Sequence, residues 1–404
     1  MASQPLTVIA KIKPGEEDAL KQVLEEIGID LANNPYLRLA ESHLTHFARF
    51  GIINDPDNGT RLLFTSNYDG TLEAYLEELL KIGPQIEQIW NKCEGYRGRQ
   101  GFADFIRNHS HKAQTAYIAF RDETVASIRN KRSIRQQLEQ LLDLRDVTQF
   151  LDYPGVKPFL DTLSQISRKL PWWKKLGAIS SNLWQKLGNG INAIAEQIRQ
   201  LLLSILRFIG RTFLGAPDRQ RQIGEYTGVR IDNVRLRELN SAEVINGQNH
   251  LHLLSTVKRG RLLRLQIVLF LINAAAKFLF PEGTLANIQS IHFAHWAILD
   301  GGKHLLFVTH YDGSFDNYLG DFSDRAGDGL NSIWNNVEGY PEAGAQDVTA
   351  FKQFFRNDQQ PPSLVFYRAY PQATVKNLLR DRAIVNTLVE NFEREPTEAW
   401  LELL

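Results

Sequence analysis

Near the N-terminus, "LTVIAKI" alternates apolar and polar side chains with a period of two, which predicts a strand. "GEEDALKQVLEEIG" follows with apolar residues three or four apart, acids at its start and Gly28 at its end, the pattern of a helix. "HLTHFARFGII" and "TRLLFTSNY" are β-rich runs on either side of the turn-forming "NDPDNG", which predicts a hairpin. "TLEAYLEELLKIGPQIEQIWNKC" returns to helical spacing, "GFADFIRNH" is a short helix, and "AQTAYIAF" closes the run as a strand. A further helix is predicted near residues 124 to 143.

The same text recurs about 240 residues later, too long a period for a solenoid and the mark of two related domains in tandem. "HFARFGII" answers "HFAHWAIL", "LLFTSNYDGTLEAYL" answers "LLFVTHYDGSFDNYL", and "IWNKCEGY" answers "IWNNVEGY". The second copy supplies "HLHLLSTVK", "GRLLRLQIVLFLINAAAKFLF", "SIHFAHWAIL", "KHLLFVTHY", a helical run to Asn336, "SLVFYRAY" and a last helix near 373 to 390. Each half reads β-α-β-β-α-β, the ferredoxin-like split unit. A four-stranded sheet with helices on one face leaves the other uncovered, and two such sheets bury those faces against each other. The expected fold is therefore α+β: two ferredoxin-like units, residues 1–149 and 231–404, joined in an intramolecular dimeric α+β barrel.

Residues 150–230 differ in kind. From Leu183 to Phe213, apolar residues recur every three or four positions, and the other face carries Lys186, Arg199, Arg207 and Arg211. With "RKLPWWKK" just upstream, this amphipathic helical linker reads either as a helix lying on an anionic membrane surface or as one packed across the barrel. The first helix of the second copy sharpens the point: "LLRLQIVLFLINAAAKFLF" is apolar nearly all round where its counterpart is acidic. At under 20 residues it is a marginal span, so peripheral attachment is expected.

Composition narrows the classes. With 404 residues, 43% hydrophobic and 23% charged, the chain is long enough for two or three folded domains. Its 46 basic and 46 acidic residues cancel, leaving no overall bias toward nucleic acid. The single cysteine, Cys93, excludes an internal disulfide framework and fits a reducing compartment. The N-terminus meets acids before any apolar signal core, which points to a cytoplasmic protein, peripheral on the inner face of a membrane if the linker binds lipid.

Candidate chemistry follows from strand parity. Arg49 and His295 occupy matching places on the second strand of each copy, in step with Phe47 and Phe293; Asn67 and His310 match on the third. These polar groups converge between the sheets if that face points inward, while His46, His292, Ala48, Ala294, Phe50 and Trp296 pack under the helices. His295 and His310 are candidates for acid–base work or metal binding. His46 and His292, kept in both copies, read first as fold residues. Asp69-Gly70 and Asp312-Gly313 form tight turns before helices capped by Thr71 and Ser314, the alternative being an acid at the barrel mouth. No Gly-rich phosphate loop, His-Glu-x-x-His or Gly-x-Ser-x-Gly is present.

With "HFAHWAIL", "LLFVTHYDGSFDNYL" and "IWNNVEGYP", the paired units resemble the dimeric α+β barrel superfamily, which includes dye-decolorizing peroxidases and chlorite dismutases. The resemblance spans roughly residues 5–143 and 249–390 and admits haem as a cofactor. The peroxidases' Gly-x-x-Asp-Gly run corresponds to Ser66-Asn67-Tyr68-Asp69-Gly70 and Thr309-His310-Tyr311-Asp312-Gly313, the leading Gly missing from both. No histidine follows His310, so an iron ligand would have to be a strand residue such as His295 or His310, or a first-unit residue such as His109. The expected function is a membrane-surface barrel binding a hydrophobic or lipid-derived small molecule, acting on it oxidatively if it is an enzyme. The alternatives are a haem-dependent peroxidase-like oxidoreductase and a non-catalytic scaffold.

Overall fold

The computed structural model describes residues 3–142 and 231–390, apart from positions 56, 246, 279–281, 286 and 287. The linker expected at 150–230, with its amphipathic stretch, lies outside the described residues. The described chain is an α+β structure with two four-stranded antiparallel sheets.

The first half runs β1 (Ser3–Lys11), α1 (Glu17–Ile29), β2 (Thr45–Asp55), β3 (Gly59–Asp69), α2 (Leu72–Ile82), α3 (Glu87–Trp90), α4 (Phe102–Asn108), β4 (Ala113–Ile118) and α5 (Val125–Leu142). The second begins with α6 (Asn233–Ser241). It continues with β5 (Gln248–Thr256), α7 (Leu262–Phe278), β6 (Ile291–Leu299), β7 (His304–Asp312), α8 (Phe315–Trp334), α9 (Val348–Asp358), β8 (Val365–Arg368) and α10 (Val375–Glu390). The helical run expected from residue 71 is interrupted at Gly83-Pro84, where proline has no N–H to give and disfavours helix in the residue before it. Its counterpart α8, lacking that pair, is continuous. Helices α6 and α9 were not anticipated.

The fourth strands depart from expectation. Rather than closing the sheet of its own half, β4 pairs with β6, and β8 pairs with β2, giving the orders β1-β3-β2-β8 and β4-β6-β7-β5. Each exchanged strand is preceded by a short bridge to its own half. The Ile9 N–H donates to His109 O and the His111 N–H to Thr7 O before the chain reaches β4. The Gln360 N–H donates to His252 O, and then Leu364 N–H bonds Phe50 O on the other sheet. A proline interrupts the donor row at each crossing: Pro362 has no N–H with which to continue along β5 after Gln360, and Pro5 leaves β1 without a donor on the edge that Ile9 presents.

The two faces of the first sheet bury different cores. Ala48, Phe50, Leu62 and Phe64 pack with Leu20, Leu24, Leu76, Leu79, Trp90 and Phe102 of the helices. Ile9, Ile53 and Leu63 pack instead on Ala297, Leu299, Leu306 and Val308 of the second sheet. Of the described residues, those up to 126 and 231–375, which include both sheets, belong to one compact unit, and 127–142 with 376–390 belong to another. In the latter, Arg135 Nε lies 2.6 Å from Asp381 Oδ1. No helix among the described residues is long and apolar enough to cross a membrane.

Gly28, expected to end α1, lies within it, because the helix passes tightly over the exchanged strand: a Cβ there would stand 2.2 Å from Leu364 O. Gly28→Ala should therefore cost about 1–3 kcal/mol through overpacking, read as a lower urea midpoint with an unchanged slope. An unshifted midpoint would mean the exchanged strand is not held against α1.

Candidate functional site

Two β-bulges decide where the repeated histidines point. The β2–β3 register shifts between Thr45 and Phe47, and the β6–β7 register between Ile291 and Phe293. A bulge re-aims the extra residue, so His46 and His292 do not pack under the helices with Ala48 and Ala294. Their rings instead lie at 5.4 Å from Phe293 and Phe47 respectively, each across from the opposite sheet. His46 Nε2 donates to Asp69 Oδ1 at 2.9 Å, and Asp69 Oδ2 accepts the Val125 N–H at 2.8 Å, one of the unpaired amides that open α5. The second copy repeats the chain of contacts, with His292 to Asp312 at 2.8 Å and the Val375 N–H to Asp312 at 2.7 Å. Asp69 and Asp312 thus tie a bulged histidine to the first turn of the helix after an exchanged strand.

The copies differ at the other ring nitrogen. Since a carboxylate only accepts, Nε2 carries a proton in both copies. His46 Nδ1 meets the Tyr370 hydroxyl at 3.0 Å, whereas His292 Nδ1 is buried without a partner. Phe120 stands where Tyr370 would be: Ala119 N–H bonds His292 O just as Ala369 N–H bonds His46 O.

Arg49, His295 and His310 face the space between the sheets. Arg49 is fully buried; its Nε donates to Thr65 Oγ1 at 2.7 Å, its Nη1 to Leu251 O at 3.3 Å, and its Nη2 has no partner. No carboxylate pairs with it among the described residues. Burial pulls its pKa down to about 9. His295 Nε2 lies 2.8 Å from Thr7 Oγ1 on the other sheet, with Nδ1 unpartnered. His310 is stacked on Phe47 at 4.6 Å and on Phe366 at 5.6 Å, with neither nitrogen bonded. Asn67 is buried on β3 opposite Phe47.

Two histidines here escaped the sequence reading. His250 and His252 share the inward face of β5; His250 lies 4.3 Å from Phe366 and 6.1 Å from His252. Their alternation in "HLHLL" was the available signal. The Ser363 N–H donates to His250 Nε2 at 3.3 Å, while His252 Nε2 is unpartnered. Burial, with the Arg49 charge adding to it, holds His250, His252 and His310 well below the ordinary imidazole range and His295 at about 3. The Arg49 guanidinium and four neutral imidazoles therefore share an interior with unsatisfied nitrogens. A pocket lined by His250, His252, Glu243, Arg356, Gln359 and Pro361 reaches this group; its free volume, about 20 Å³, is room for a water or two.

Haem does not fit these residues. His310 has aromatic rings stacked on it, His295 is bonded across the sheets through Nε2, and His109 Nδ1 is bonded to Phe105 O while its ring lies 4.1 Å from Phe105. A metal is no better served by Asp55, Asp300 and His304, the acid–histidine group among the described residues that comes close enough to share one. Arg61 already donates to both carboxylates, at 2.8 Å to Asp300 Oδ1, and His304 bonds the same Asp300. Scans against family models, curated proteins and solved structures find no match to this chain.

Two measurements follow. Phe120→Tyr should supply the hydroxyl that His292 Nδ1 lacks and stabilise by about 1 kcal/mol, while Tyr370→Phe should cost about as much; unchanged urea midpoints in both would deny the pairing. Folded His295 stays neutral down to about pH 3, whereas the unfolded ring protonates near its ordinary 6.5. The unfolded state therefore binds more protons between those values, and stability falls as pH drops through that window, by up to about 1.4 kcal/mol per unit for this one ring. His295→Asn should flatten the profile by about one proton, and an unchanged slope would place the titration elsewhere.

Proposed function

We propose that the two sheets form a closed α+β barrel of two ferredoxin-like halves with exchanged fourth strands, and that its interior binds a small apolar molecule carrying one anionic group, such as a carboxylate. The observation that carries this reading is Arg49: a fully buried guanidinium with one nitrogen free and no acid beside it. An uncompensated buried charge costs several kcal/mol, and a planar guanidinium matches a carboxylate's geometry. The neutral rings of His252, His295 and His310 retain nitrogens able to bond the same ligand, either as N–H donors or as acceptors according to tautomer. Phe47, Phe293 and Phe366 supply apolar walls. The pocket beside His250 and His252 holds only a water or two, so such a ligand enters only where the interior side chains around Arg49 give way to it.

The test uses the purified full chain with benzoate and its neutral counterpart benzamide. Benzoate should raise the melting temperature and benzamide should not, and Arg49→Met should weaken benzoate binding by about 10- to 100-fold, the loss of one charge-assisted pair. Equal shifts from both compounds, or equal benzoate affinity in Arg49→Met, would reject the reading and leave a barrel filled by its own side chains.

A further inference from the structure

Helix α7 presents two apolar faces. Leu265, Val268, Leu269 and Ala276 are buried, and Thr115 of β4 donates its hydroxyl to Leu269 O at 2.5 Å, which fixes that side against the sheet. Leu263, Ile267 and Phe270, spaced four and three residues apart, lie on one stripe of the helix surface. They are 69%, 47% and 69% exposed. Such a stripe is not needed to hold the helix, since the buried side already does so, and exposed apolar patches mark interaction sites.

Charge identifies the partner. From Val257 to Ala276 the chain carries Lys258, Arg259, Arg261 and Arg264 and no acid. Arg259 and Arg261 are exposed immediately before the stripe begins, and exposed Lys303 joins them through the Val257 N–H to Lys303 O bond. Arg261 lies close enough to Arg264 to help burial push its pKa down. Asp300, which could offset them, is engaged by Arg61 and His304. The corresponding helix of the first half, α1, carries Glu17, Asp18, Glu25 and Glu26 instead. The fold therefore does not require this surface chemistry, and only one half has it.

We infer that α7 docks flat on an anionic lipid surface. Leu263, Ile267 and Phe270 enter the headgroup–acyl boundary, and the exposed Arg259, Arg261 and Lys303 engage the lipid phosphates. This surface is separate from the interior site and does not depend on the ligand assignment.

The test is co-sedimentation of the full chain with phosphatidylcholine vesicles, with and without phosphatidylglycerol. The wild type should pellet with phosphatidylglycerol vesicles, less so as salt rises, and remain in solution with phosphatidylcholine alone. Replacing Leu263, Ile267 and Phe270 together by Ser, or Arg259→Glu with Arg261→Glu, should lower the vesicle partition at least about tenfold, since each cation near the surface is worth about 1 kcal/mol. These positions are exposed, so circular dichroism and melting should match the wild type. Undiminished binding in both variants would overturn the inference by placing lipid contact elsewhere. So would a chain that sediments as a dimer, becomes monomeric in the Ser variant and binds vesicles as before, because the stripe would then be covered by a second copy.

Discussion

Everything in the described structure rests on where the fourth strand of each sheet comes from. β2 and β6 each present a row of backbone donors and acceptors that must be paired if the sheet is to be dry on both faces. Each is completed by a strand from the other half. Because β4 and β8 first bridge their own half, through His109–His111 and Gln359–Gln360, and then cross, the sheets are stitched at two corners by backbone hydrogen bonds. Side-chain packing alone would let the sheets slide; main-chain bonds at both corners set their register. That register brings Thr7 to His295 and Arg49 to the carbonyl of Leu251, across sheets that share no hairpin.

The duplicated sentence in the sequence divides along the same line. What both copies keep, Tyr-Asp-Gly and the bulged histidine, anchors the helix that follows each exchanged strand: an imidazole orients a carboxylate, and the carboxylate accepts from an N-terminal amide. What the copies change is turned inward. Arg49 faces His295, Asn67 gives way to His310, and the hydroxyl of Tyr370 becomes the bare ring of Phe120. The residues shared by the two halves thus carry the fold, and those that differ line the space between the sheets.

Strand and helix positions were largely legible, because periods of two and of three to four residues are written into buried faces that both copies preserve. Parity likewise placed Arg49, Asn67, His295 and His310 on the face opposite Ala48 and Phe50. It failed at His46 and His292, since a bulge adds one residue and reverses the count, and nothing in "HLTHF" or "SIHFA" marks it. The strand exchange was illegible for a different reason: nothing in "AQTAYIAF" marks which edge it joins, and Pro5, which interrupts the donor row of its own half, lies far from it along the chain. His250 and His252 were visible in alternation but have no histidine counterparts in the first copy, so comparing halves passed over them.

Arg61 and Arg49 make the chemical argument by contrast. Both are buried cations on the same sheet, yet Arg61 is enclosed by Asp55 and Asp300, with His304 on the same carboxylate. The fold can thus neutralise a buried guanidinium from its own strands where two carboxylates are supplied. Around Arg49 the neighbouring inward positions on β5, β6 and β7 are His250, His252, His295 and His310, all kept uncharged by burial and by Arg49 itself. Imidazoles at those places satisfy neither the cation nor one another, so the arrangement lowers stability as it stands. The residues present keep both a positive charge and open hydrogen-bonding nitrogens in a buried interior, and that imbalance is the ground for proposing an anionic ligand.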